Sequence, residues 1–145
     1  MCDVDQKVLD ERVEVLKGRG QRVTAYTDIR KLLDDNTIDA VVVATPNHWH
    51  SLMGIWACQA GKDVYVEKPV SQNLWEGGQL VAAARKYNRI VASGTQNRSE
   101  VGLQQVMKYL HEGSLGKIRV VRGLCYNRRK SIGKVSGPQL SLIHI

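Results

Sequence analysis

No stretch of this sequence approaches the roughly 18 consecutive apolar residues that a membrane-spanning helix requires. Its opening, Met1-Cys2-Asp3-Val4-Asp5, lacks both the basic leader and the apolar core of a secretory signal. Together these absences argue for a cytoplasmic protein with no membrane partner. Cysteine is scarce: Cys2, Cys58 and Cys125 are far apart and odd in number, and no CxxC pair occurs. Neither a zinc ribbon nor a disulfide framework fits that pattern, and three reduced, mostly buried thiols are expected. Internal repeats, low-complexity tracts and linker-like stretches are missing as well. None of the 13 glycines builds a GxGxxG phosphate turn, because Val23 stands where the third glycine after Gly18-Arg19-Gly20 would be.

What is present is the composition of an ordinary globular chain. Its 145 residues suffice for one domain with its own core, with 43% hydrophobic and 24% charged residues. The net charge of +7 is uneven. Residues 1–97 carry twelve basic and twelve acidic side chains, whereas residues 98–145 carry nine basic ones against Glu100 and Glu112. A basic tail with Arg128-Arg129-Lys130 is one footprint of nucleic-acid binding. No aromatic interleaving accompanies it here, so no nucleic-acid partner is expected.

Short apolar runs alternate with helical patterns along the chain. Residues 6–18 place Leu9, Val13 and Leu16 on one stripe and end at glycines, as helices often do. Residues 22–26 read as a short strand, and Asp28 caps a short helix with Ile29, Leu32 and Leu33. The run at residues 39–44 is apolar on both faces, which predicts a buried parallel strand. A helix over about 51–60, a strand at 63–66, a capping box of Asn73 and Glu76 before a helix at 74–87, a strand at 90–93 and a helix at 99–111 follow. Residues 118–126 then read as a longer strand. Such alternation predicts an α/β fold with a doubly wound parallel sheet, whose ligands bind at the carboxyl ends of the strands.

Three loops at those ends are distinctive: Thr45-Pro46-Asn47-His48-Trp49-His50, Glu67-Lys68-Pro69, and Gly94-Thr95-Gln96-Asn97-Arg98. In this order and spacing they resemble the glucose-fructose oxidoreductase, inositol dehydrogenase and rhizopine-catabolism (Gfo/Idh/MocA) family, over Cys2 to about Val135. The resemblance implies a Rossmann-type domain, a nicotinamide cofactor, and hydride transfer at a secondary alcohol of a sugar, cyclitol or related metabolite. It makes Lys68 the catalytic residue, at the junction of cofactor and substrate. There it would hydrogen-bond the reacting hydroxyl or the nicotinamide ribose and help move the proton. It places Thr45, Pro46, Asn47, His50, Glu67, Lys68 and Gln96 along the cofactor. Asp3, or less favourably Asp5, becomes the acid that takes a ribose hydroxyl and tilts the choice between NAD and NADP towards NAD.

Each residue also has a plainer reading: Glu67 and Lys68 as a solvated pair, His48 or His50 as helix caps, Arg98 as a surface charge, Trp49 and Trp56 as packing groups. His48 and His50 lack an acidic or cysteine partner nearby in sequence, so no metal site is expected. An NAD-dependent glycosidase and a non-catalytic nucleotide sensor are the alternative functions.

The resemblance also implies a first strand with its phosphate loop before Met1. Lacking that central strand, the sheet is expected as two half-sheets with unpaired edges. The chain alone would then be molten and bind NADH weakly, which a sharp cooperative melt or a tight titration would contradict. The layout predicted is a partial cofactor domain at 1–97, the start of a substrate domain at 98–135, and a non-native tail at 136–145. A homo-oligomer is expected of the longer enzyme.

Overall fold

A computed structural model describes residues 1–124 of the chain. Contacts divide it into two units, Met1–Thr95 and Gln96–Ile145.

The first unit opens with helix α1 (Gln6–Gly18). Asp5 starts it by accepting hydrogen bonds from the backbone N–H groups of Lys7 and Val8, at 2.9 and 3.2 Å. These are donors that the first helical turn leaves without intrahelical partners. Leu9 and Val13 form its buried stripe. At Gly20 the chain turns through φ +75°, a conformation in which any Cβ would be strained. Asp28 caps the short helix α2 (Ile29–Leu33), as expected, and Leu32 and Leu33 are buried.

Three parallel strands follow, in the order β1 (Ala40–Val43), β2 (Asp63–Glu67), β3 (Val91–Gly94). Val43 pairs with Val66, and Glu67 with Gly94. Helix α3 (His50–Gln59) links β1 to β2, and α4 (Leu74–Lys86) links β2 to β3. Asn73 caps α4 through the backbone N–H of Glu76 at 2.9 Å, and its amide donates to the Glu76 carboxylate at 2.8 Å. The core joins Val41, Val43, Val64 and Val66 of the sheet to Met53, Ala57 and Cys58 of α3, Leu80 and Ala83 of α4, and the two leucines of α2. Gly54 lets α3 and α4 approach closely: a Cβ there would lie 2.8 Å from Leu80 Cδ1.

Three strand expectations are corrected. Residues 22–26 form no strand; only Tyr26 joins a parallel bridge, to Cys2. That bridge stands apart from the three-stranded sheet. Strand β1 is buried on one face rather than two, with Val41 and Val43 inside and Val42 70% exposed. A strand hides both faces only where helices cover both, and among the described residues the Val42 face is left uncovered.

In the second unit, a 3-10 turn (Gln96–Ser99) leads into helix α5 (Val101–His111), which Glu100 caps through Leu103 N–H at 2.7 Å. None of the α5 residues is buried. Residues 118–124, expected as a strand, form none among the described residues. A strand exists only through the ladder it shares with a neighbour, and no such ladder is described here. Cys125, the end of that expected strand, Arg128-Arg129-Lys130 and the tail at 136–145 lie outside the described residues.

Candidate functional site

Because β1, β2 and β3 are parallel, their carboxyl ends share one edge of the sheet, and the loops that leave them gather there. The β1 loop runs through Thr45 and Pro46 into a 3-10 turn (Asn47–Trp49) that passes directly into α3. The β2 loop starts at Glu67 and turns at a cis Lys68-Pro69 peptide bond. Adjacent strands lie about 4.8 Å apart, so the Val43–Val66 pairing launches the two loops side by side.

Within this edge the side chains differ sharply in what they have available. The Thr45 hydroxyl is buried, with no hydrogen-bond partner among the described residues. A buried hydroxyl left in that state is costly. Pro46 and Asn47 are exposed beside it. Lys68 is exposed; its backbone N–H is held at 3.0 Å by the Glu67 carboxylate. Gly94 makes room for that carboxylate, since a Cβ there would meet Glu67 Cα at 3.0 Å and Oε2 at 3.1 Å. Sequence reasoning placed this glycine in the third loop without giving it a role; its signal was its place at the strand end opposite Glu67.

His50 behaves differently from its neighbours. It is 1% exposed, and its ring nitrogens face two backbone carbonyls, Pro69 O from Nδ1 at 2.6 Å and Thr45 O from Nε2 at 2.7 Å. Ser51, also 1% exposed, donates its hydroxyl to Val70 O at 3.1 Å. Ser51 carried no motif signal beyond following His50 at a helix start. His48 is exposed with its ring 5.9 Å from Trp49, and Trp49 in turn lies 6.3 Å from Trp56. Both tryptophans are half-buried against the core.

Asp3 follows the Cys2–Tyr26 bridge and accepts the Asp5 N–H at 2.9 Å. Asp5 already spends its carboxylate capping α1. This leaves Asp3 as the more available of the two acids. Gln96 opens the second unit, as does Arg98, whose carbonyl accepts from Gln104. A separate groove of about 350 Å³ lies between α4 and β3, walled by Leu80, Val81, Ala84 and Val91 together with Arg85 and Arg89. Among the described residues no three His, Cys, Asp or Glu side chains group as a metal site would need, and no helix is long and apolar enough to cross a membrane.

Comparison with known proteins bears on the same region. A family model described as an oxidoreductase family with an NAD-binding Rossmann fold matches residues 8–95. The myo-inositol 2-dehydrogenase of Thermotoga maritima is 29% identical over 115 residues, which is 79% of this chain and 34% of that one. The levoglucosan dehydrogenase of Pseudarthrobacter phenanthrenivorans is 33% identical over 97 residues, 67% of this chain and 25% of the relative. An α-N-acetylgalactosaminidase of Shewanella oneidensis is 28% identical over 126 residues, covering 81% of this chain and 27% of the enzyme.

Among solved structures, a myo-inositol 2-dehydrogenase of Lactobacillus plantarum superposes with a TM-score of 0.72 at 28% identity, covering 81% of this chain and 34% of that one. The WlbA dehydrogenase of Bordetella pertussis, in complex with NADH and UDP-GlcNAcA, gives 0.68 at 28% identity, with 80% of this chain and 32% of that one covered. The chain thus spans from a quarter to about a third of the length of the relatives it matches.

Proposed function

The chain belongs to the Gfo/Idh/MocA oxidoreductase family, with the NAD-binding Rossmann fold over residues 8–95; from that premise we propose that it forms the cofactor half of a dehydrogenase. Its substrate would be a sugar, cyclitol or related metabolite oxidised at a secondary alcohol. The observation that carries this reading is the buried, unpartnered Thr45 hydroxyl at the carboxyl edge of the sheet. It sits one loop away from the exposed Lys68. A hydroxyl in that state fits a phosphate or ribose oxygen of a dinucleotide, so the residues present suit the group. Thr45, Pro46 and Asn47 would line the dinucleotide, with Glu67 and Lys68 continuing the track, and Asp3 would accept from a ribose hydroxyl. Of the two cofactors NAD is preferred, because a carboxylate at Asp3 repels a 2′-phosphate.

A bound nicotinamide would accept the hydride in oxidation and deliver it in reduction; the proton is the protein's task. Lys68 hydrogen-bonds the reacting oxygen. In the reducing direction its ammonium donates a proton as the carbonyl becomes an alcohol, and in the oxidising direction it carries the hydroxyl proton away. Glu67 fixes the backbone at Lys68 through the 3.0 Å bond to its N–H, which orients the side chain. The inositol and levoglucosan dehydrogenases among the relatives favour net oxidation over the glycosidase alternative.

The test is an assay of the full-length enzyme that carries this chain, with NAD and a panel of cyclitols and sugars, following NADH formed. One NADH per substrate oxidised supports the reading, and bond cleavage without net NADH sinks it. Lys68→Ala should lower kcat by about 10²–10⁴-fold, the usual worth of a positioned acid–base group, while NADH still binds. Asp3→Asn should shrink the NAD over NADP preference by about tenfold, in line with loss of one charged hydrogen bond. An unchanged preference ratio would take the ribose role away from Asp3.

A further inference from the structure

His50 and Ser51 begin α3, yet neither serves as a cap for it. A helix start needs acceptors for its free N–H groups, and the residue before α3, Trp49, makes no side-chain cap bond. The two side chains instead turn towards carbonyls of other segments. Ser51 donates to Val70 O, nineteen residues on. His50 faces Thr45 O, five residues back, and Pro69 O, nineteen residues on. Both side chains are 1% exposed, so water does not compete for these bonds. The carbonyls only accept. A ring with two N–H groups satisfies both of its partners, and a ring with one N–H satisfies one. Imidazole suits the task because its two nitrogens point in divergent directions from a rigid plane. The side chain therefore spans the gap between the loop after β1 and the loop after β2.

We propose that His50, seconded by Ser51, is a positioning residue that locks the Thr45 loop against the turn at residues 68–70, and so sets where Lys68 stands relative to the Thr45 hydroxyl. The proposal rests on the roles given to Thr45 and Lys68 above. His50 touches neither cofactor nor substrate in this arrangement; it acts through the backbone of two loops that do. A single-residue link of this kind keeps the dinucleotide track and the proton-transfer group in one register, where a displacement of about 1 Å is enough to cost up to a hundredfold in rate.

The test compares the wild-type protein with His50→Gln and Ser51→Ala by hydrogen exchange and by steady-state kinetics. Gln has its donors on one nitrogen and cannot reach both carbonyls. In His50→Gln, residues 44–49 and 67–71 should exchange faster together while β2 and α4 stay protected; in Ser51→Ala only 67–71 should loosen. His50→Gln should lose about ten- to a hundredfold in kcat with the KM for NAD changed little, the signature of misplacement rather than lost binding. The proposal is overturned if one loop loosens alone in His50→Gln, if the whole first unit loosens equally, or if the folded variant keeps wild-type kcat. Should the wild-type protein oxidise no sugar or cyclitol, the functional reading fails, and the exchange comparison still decides the clamp.

Discussion

Asp35 accepts hydrogen bonds from the Thr37 hydroxyl at 2.7 Å, the Thr37 backbone N–H at 2.8 Å and the Tyr26 hydroxyl at 2.7 Å. Those donors, Thr37 first, hold its carboxyl down at about 2, and the same contact raises Tyr26. Asp28 is held at about 2 as well, chiefly by the Arg30 guanidinium and then by its backbone N–H. Both folded values lie below the roughly 3.9 of an unfolded aspartate. The stability these groups contribute is therefore present above about pH 4 and lost as the pH falls towards 2. Melting temperature followed by circular dichroism should decline through that window, and Asp35→Asn should flatten the decline while lowering the plateau. An equally steep acid limb in the variant would assign the effect to other carboxylates. At this scale the sequence was legible where a side chain serves its own neighbours. Asp28 and Asn73 were recognisable as caps because the groups they satisfy lie two or three residues away. His50 was read only as a cofactor or cap residue, since Pro69, one of its two partners, lies nineteen residues away.

Helices α3 and α4 show what a glycine does when packing, rather than a turn, demands it. Ala at position 54 would gain up to about 1 kcal/mol of helix propensity. It would also force a methyl to within 2.8 Å of Leu80 Cδ1, and Leu80 is only 2% exposed and has little room to yield. Overpacking of this kind costs about 1–3 kcal/mol, so Gly54→Ala should lose stability on balance. Gly78, in the middle of α4, has nothing within 4 Å of a built Cβ. There the propensity term acts alone, and Gly78→Ala should gain about 0.5–1 kcal/mol. Urea titrations of the two variants check the pair, and a stabilised Gly54→Ala would mean that α3 and α4 can slide apart. The existence and type of α1, α3, α4 and α5 were readable from apolar spacing and caps. The tight crossing at Gly54 was not, because it depends on which face of α4 arrives opposite.

For the molecule as a whole, the uneven distribution of buried groups sets a prediction about local stability. Val64 and Val66 of β2 are 3% and 0% exposed between two neighbouring strands, whereas α5 buries no residue. Amides with few buried contacts open most readily. Hydrogen exchange should therefore be slowest in β2 and fastest in α5, and comparable protection in the two would show that α5 is packed in solution. The parallel bridge between Cys2 and Tyr26 stands apart from the β1–β2–β3 sheet. The strands with weak or one-sided cover were the ones misjudged. Residues 22–26 and 39–44 both carry β-prone residues, but pairing and cover are supplied by distant segments.

By itself the sequence determined the α/β alternation and the caps, because each depends on residue type within a few positions. Thr45, Lys68 and Glu67 were singled out before any strand was placed, by the family resemblance of the loops that carry them. Tertiary structure alone decided that the β1 and β2 loops leave one edge of the sheet side by side, that the Thr45 hydroxyl is buried without a partner, and that Gly94 frees the space Glu67 occupies. It also decided that His50 is enclosed between two carbonyls. The physical reason is common to all four. Local propensity acts through the backbone of neighbouring residues, while burial and hydrogen-bond partnership are set by segments that meet only when the sheet forms.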